Sequence, residues 1–280
     1  EVLRAGPLTT VQDLGRPGWA HLGVPRSGAV DLPALRAANR IVGNPPGAAG
    51  LETTLTGCAL RFTTASLVAV TGARSRVTVD GRELAQDHAV EVAAGAVLEV
   101  GAATIGVRGY VAVSGGVAVD PVLGSRSTDT LSGLGPPRLR DGMRLPLGDI
   151  GEPVGDQLPG GAAPLVRHEL RLHRGLRHDW FTADALDLLA STEWTVSPAS
   201  NRVAARLDGP SLRRAVEGEL PSEGIVLGAV QVPTDGKPLV FLADHPTTGG
   251  YPVVGVLEPE DVQVVAQSRP GAQLRFHLVG

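Results

Sequence analysis

The stretch Ser222-Glu-Gly-Ile-Val-Leu-Gly-Ala-Val-Gln-Val-Pro-Thr-Asp-Gly-Lys-Pro-Leu-Val-Phe-Leu-Ala-Asp-His-Pro-Thr-Thr-Gly-Gly-Tyr-Pro252 decides how the chain is read. Two apolar runs, 225–232 and 238–243, flank Asp235-Gly236, and Asp-Gly between such runs signals a β-hairpin. The residues before the first strand and after the second lie at the same end of an antiparallel hairpin. Ser222 and Glu223 are therefore expected to share one polar rim with Asp244, Thr248 and Tyr251, while Gln231 closes the first strand. Gly249-Gly250 removes side chains where the backbone could approach a ligand. The same pattern is also what a well-made hairpin with a glycine-rich loop would show.

Outward from this stretch the chain reads mainly as short strands and turns. Glycine (37) and proline (22) are scattered through 280 residues, 42% of which are hydrophobic, the composition of a soluble, turn-rich globular protein. Three tryptophans, two tyrosines and four phenylalanines leave the core to Val, Leu and Ala. Asp31 reads as the N-cap of a helix over 32–42 that carries Pro33 in its first turn and stops at Gly43. Further helices are expected over 182–190 and from Pro259 to Gln267. Short strands are expected at 67–71, 76–79, 82–84, 96–100 and 104–113, and again from Glu169 onward. The length favours two domains. The glycine- and proline-rich 146–164 stretch places the joint between residues 1–155 and 156–280, each half a β-rich, barrel-like domain.

Several chemistries are excluded. Lys237 is the only lysine among 25 basic Lys and Arg residues, and it sits in a hairpin turn rather than in GxxxxGK[ST], so there is no P-loop. That position does not suit a Ser-Ser-Lys amidase either. Biotin attachment is excluded in the same way, since Met143 is remote from Lys237. No GxSxG elbow occurs. A net charge of −4 argues against a nucleic-acid partner, and no apolar run is long enough to cross a membrane. Cys58 is the only cysteine, which suits a reducing compartment, and with no visible signal peptide the expected location is cytoplasmic. His168, His173 and His178 recur every five residues, which puts neighbours on different faces of a strand or helix. No metal site is expected from them.

SEG–GAVQVP–G-K-P–AD–TTGGYP resembles the C-terminal signature of the 5-oxoprolinase C-subunit family, also called allophanate hydrolase subunit 2 or the KipA type, a biotin-dependent-carboxylase-like family. The resemblance extends through 9–31, ANRIVGNP (38–45), Leu51-Glu52, 110–116 and Gly124-Ser-Arg-Ser-Thr128. It implies a mainly β chain with a few helices, folded as two cyclophilin-like β-barrel domains. It also implies partners, a KipI-type B subunit plus an A subunit, in an assembly that opens 5-oxoproline to glutamate with ATP. ATP and Mg²⁺ would then be shared with the complex.

Opening a lactam with ATP develops negative charge that Arg or backbone N–H groups must meet. The arginines in family-like motifs are Arg16, Arg26, Arg126 and Arg202. Carboxylates able to act as base or metal ligand are Asp13, Asp31, Glu52, Glu223 and Asp244, although Asp31 also reads as a helix cap and Asp13 as an ion-pair partner of Arg16. Glu223 and Asp244 are the expected catalytic pair, with Arg16, Arg126, Arg202, Ser222, Gln231, Thr248 and Tyr251 expected to bind substrate. The sequence departs from the family pattern at 175–177 (Gly-Leu-Arg), 200–204 (Ser-Asn-Arg-Val-Ala) and 244–247 (Asp-His-Pro-Thr). Two other readings fit the same residues: a non-catalytic regulatory subunit that antagonises a kinase-inhibitor-type partner, and a urea carboxylase or allophanate-type accessory subunit.

Overall fold

The computed structural model describes residues 1–150, 167–218 and 220–279. The chain divides into two compact units. One holds Glu1–Arg16, Ser27–Asp129 and Gly133–Pro164, and the other holds Pro17–Arg26, Thr130–Ser132 and Leu165–Gly280. The cut expected at 155/156 lies outside the described residues. Two short excursions, 17–26 and 130–132, group with the second unit, which no local composition signal announces.

The first unit is an eight-stranded sheet dominated by two long strands, Ser66–Val79 and Val97–Val113, paired antiparallel along their length. The sequence reading broke each of these in two. The breaks it saw are irregularities in register between Gly72 and Val77; they disturb the side-chain alternation without ending the ladder. The Asp80-Gly81 hairpin forms as expected, joining Ser66–Val79 to Arg82–Leu84.

Over 68–72 and 106–113 both faces of this sheet are buried. Val68, Val70, Val111 and Val113 point into one apolar cluster with Leu51, Leu60 and Leu98. The alternate residues Ala69, Tyr110 and Ala112 face a second cluster made with helix α1 (Leu32–Ile41) through Leu35, Ala38 and Ile41, as the two-residue period of a strand requires. Asp31 caps α1 by accepting from the Ala34 amide at 3.1 Å.

The second unit contains a closed seven-stranded barrel. Its strands run, in spatial order, Trp194–Val196, Ala204–Asp208, Leu239–Phe241, Ala229–Gln231, Val253–Leu257, Glu169–Arg174 and Gln273–Val279. The last two pair in parallel and all other neighbours antiparallel. Leu170, Leu172, Leu274 and Phe276 are buried, while Glu169, Gln273, Arg275 and His277 alternate outward. Helices α2 (Ala183–Ser191) and α3 (Pro259–Gln267) complete the unit. The Asp235-Gly236 hairpin is present, but its paired strands are only Ala229–Gln231 and Leu239–Phe241. Glu223–Gly224 forms a separate two-residue ladder with Thr248–Gly249.

Candidate functional site

In the first unit, Asp13 is a hub. Its Oδ1 accepts from the Gly15 amide (2.8 Å) and from the Ser125 and Ser127 hydroxyls (both 2.6 Å), and its Oδ2 accepts from the Arg126 amide (2.6 Å). Arg16, 1% exposed, donates to the Val122 and Ser127 carbonyls. These residues tie the 9–16 segment to the Gly-Ser-Arg-Ser-Thr loop. Arg16 is therefore not presented to a substrate, contrary to the sequence expectation, and Asp13 serves that loop's amides and hydroxyls rather than pairing with Arg16.

Glu52 is likewise engaged. Its Oε2 accepts from the Val30 amide (2.9 Å) and the Tyr110 hydroxyl (2.8 Å), and the Tyr110 oxygen in turn accepts from the Asp31 amide (2.8 Å). Burial, together with the Glu52 and Asp31 charges, pushes the Tyr110 hydroxyl well above the usual tyrosine range.

In the second unit the expected rim separates into two sites. Asp244 has no exposed surface. It accepts from Arg202 Nε and Nη2 (both 2.9 Å), and its Oδ2 also takes the Thr130 amide (2.9 Å) and hydroxyl (2.7 Å). Arg202 is 1% exposed. A bidentate pair closed off in this way fixes the 201–204 loop against the end of the Leu239–Phe241 strand; it is not a substrate-facing acid and base. Gln231 is also buried, its amide donating to the Tyr251 carbonyl at 2.9 Å. Gly249 makes room for that amide: a Cβ there would lie 2.9 Å from Gln231 Nε2.

Glu223 is different. It is half-buried, opposite Gly249, and clasped by Arg177, whose Nε reaches its two oxygens at 2.9 and 3.1 Å and whose Nη2 also donates to it. The side-chain hydrogen bonds from Arg177 hold Glu223 below the usual carboxylate range, and the same bonds raise Arg177. Ser222 and Thr248 are exposed beside this ladder. Tyr251, 42% exposed, carries the Arg214 guanidinium over its ring at 5.8 Å. What remains of the rim is the partly exposed Arg177–Glu223 pair beside Ser222 and Thr248. Arg177 was missed as a site residue. It lies 46 positions from Glu223, and its only signal was that 175–177 departs from the family pattern.

Arg126 stands apart from the buried arginines: its side chain lines a cleft of about 1020 Å³ within the first unit.

Residues 22–278 match the family model of the carboxyltransferase domain, subdomain A and B. The chain belongs to that family. Over 99% of its length it is 37% identical to the C subunit of 5-oxoprolinase from Escherichia coli (strain K12), spanning 90% of that protein. It is 32% identical over 99% of its length to the urea amidolyase of Saccharomyces cerevisiae, but spans only 16% of that much longer protein. The crystal structure of the K. lactis urea amidolyase superposes on all of the chain with a TM-score of 0.91 at 31% identity, the match covering 18% of that structure. This carboxyltransferase-family chain thus corresponds to nearly the whole of its shorter relative and to one portion of a much longer protein. Among its described residues there is no group of three His, Cys, Asp or Glu able to hold a metal, and no helix is long and apolar enough to cross a membrane.

Proposed function

We propose that the chain is the C subunit of an ATP-dependent 5-oxoprolinase, acting on a lactam C–N bond together with a KipI-type B subunit plus an A subunit. The observation that carries this reading is the 37% identity running across 99% of the chain and 90% of a 5-oxoprolinase C subunit. The exposed Arg177–Glu223 rim supplies what a small anionic lactam requires. It offers a guanidinium for a carboxylate or a developing oxyanion, and a carboxylate kept ionised by that guanidinium for accepting an N–H.

Among the described residues, Asp13, Glu52 and Asp244 already accept from N–H and O–H donors, which does not suit a preformed Mg²⁺ site; ATP and Mg²⁺ would be held by the assembled complex. The test is to purify the chain with its candidate A and B partners and measure ATP-dependent release of glutamate from 5-oxoproline. Turnover is expected from the complex and none from the chain alone. A complex that leaves 5-oxoproline untouched refutes the reading. A urea carboxylase-type role is the second reading, favoured by the 0.91 TM-score to a urea amidolyase; ATP- and bicarbonate-dependent consumption of urea by the same complex would establish it instead.

A further inference from the structure

The first-unit cleft is not explained by the rim described above. Its volume of about 1020 Å³ is at the upper end for small-molecule sites and is many times that of a five-membered lactam acid. Its walls are largely apolar, with Val42, Leu67, Val92 and Val117 among them.

Two polar groups in the wall have capacity left for a ligand. Arg126 is anchored at both ends of its residue: its amide donates to Asp13 Oδ2, and its Nε donates to the Val119 carbonyl at 2.8 Å. With Nε fixed, the two Nη groups remain as donors on a side chain that makes no ion pair among the described residues. Ser114, buried, accepts from the Leu67 amide at 3.2 Å, which leaves its hydroxyl proton to donate. Asn44, by contrast, is used up: its amide group donates to Asn39 Oδ1 and the Val113 carbonyl, and its oxygen accepts from the Gly115 amide. The carboxylates that line the cleft, Glu91 and Asp149, are exposed at its rim, where water screens them, so they oppose an anion only weakly.

We infer that this cleft is a binding site for an amphipathic anion, a molecule with an apolar body and one carboxylate, sulfonate or phosphate head that Arg126 and Ser114 hold. A planar, pre-positioned guanidinium at an apolar wall is the arrangement that such a head group requires. The site is distinct from the Arg177–Glu223 rim and does not depend on the lactamase reading, because binding is read on the chain itself without turnover.

The probe is 8-anilinonaphthalene-1-sulfonate, followed by fluorescence on the full chain, with the uncharged N-phenyl-1-naphthylamine as control. Saturable binding of one sulfonate per chain is expected. Arg126→Gln should weaken it at least tenfold, the size expected of a lost charge-assisted hydrogen bond, while leaving the uncharged probe unaffected. Arg126→Lys should also weaken sulfonate binding, because an ammonium has neither the planar fork nor the Nε anchor to the Val119 carbonyl. Ala65→Trp, at an exposed lining position, should weaken both probes by filling the cleft. The inference is overturned by non-saturable binding, by full sulfonate affinity in Arg126→Gln or Arg126→Lys, or by Ala65→Trp binding both probes normally. Should Arg126→Gln lose the uncharged probe as well, its effect is structural and the assignment to the guanidinium falls.

Discussion

Replacing Arg202 by Met tests whether Asp244 is scaffold or chemistry. The substitution keeps much of the side-chain volume but removes both guanidinium contacts at 2.9 Å from a carboxylate with no exposed surface. The Thr130 amide and hydroxyl still donate to it. Breaking a buried ion pair from one side costs about 3–5 kcal/mol, because the surviving charge stays desolvated. With a urea dependence of about 2 kcal/mol per M, the midpoint of second-unit unfolding should fall by about 2 M. Tryptophan fluorescence isolates that unit, since Trp19, Trp180 and Trp194 all belong to it and Trp194 is fully buried. Arg202→Met/Asp244→Leu should regain part of the loss. It will not regain all, because the Thr130 amide and hydroxyl then lose their acceptor. An Arg202→Met midpoint within about 0.3 M of wild type, small beside the urea dependence used here, would refute the buried-pair argument. Complete loss of turnover in a fully folded Asp244→Asn complex would return Asp244 to the reacting set.

Three further outcomes are expected. Glu223→Gln should leave the urea midpoint of the second unit unchanged, since the residue is half-exposed, yet lower complex-dependent turnover on the order of 10²–10³-fold; a fully active variant would make the rim scaffold. Asp13→Asn cannot accept from all four donors that now converge on the carboxylate, and each lost charged hydrogen bond is worth about 1.5–3 kcal/mol. It should therefore speed labelling of the buried Cys58, a reporter of first-unit opening, by at least tenfold, and an unchanged rate would count against the hub. Burial raises the Cys58 thiol from 9.0 to about 12 despite the nearby Arg4 charge, and burial also raises Tyr110. In both cases the folded state favours the protonated form. Stability should hold below pH 9 and decline as pH rises from 9.0 towards about 12. Cys58→Val should remove the first part of that decline in urea titrations followed by circular dichroism, and a stability that rises over this range would contradict the sign.

The sequence by itself determined whatever local physics could specify. Asp31 and Pro33 started α1, Asp235-Gly236 and Asp80-Gly81 turned their hairpins, and strands were legible from Glu169 onward. It also placed Glu223 and Thr248 at one end of the central hairpin, because antiparallel pairing follows from the turn. What it could not decide was which charges would remain accessible. Asp244 and Glu223 look alike in sequence, two acids flanking the same hairpin. Yet Asp244 meets Arg202 from 42 residues away and is sealed, while Glu223 meets Arg177 from 46 residues away and stays open. The same holds for Arg16 and Arg126: the Gly124–Asp129 loop buries the first and sets the second on the wall of a cleft. The cost of a buried charge depends on partners and solvent supplied by distant segments, and those are set only when the barrel closes and the long strands of the first sheet pair.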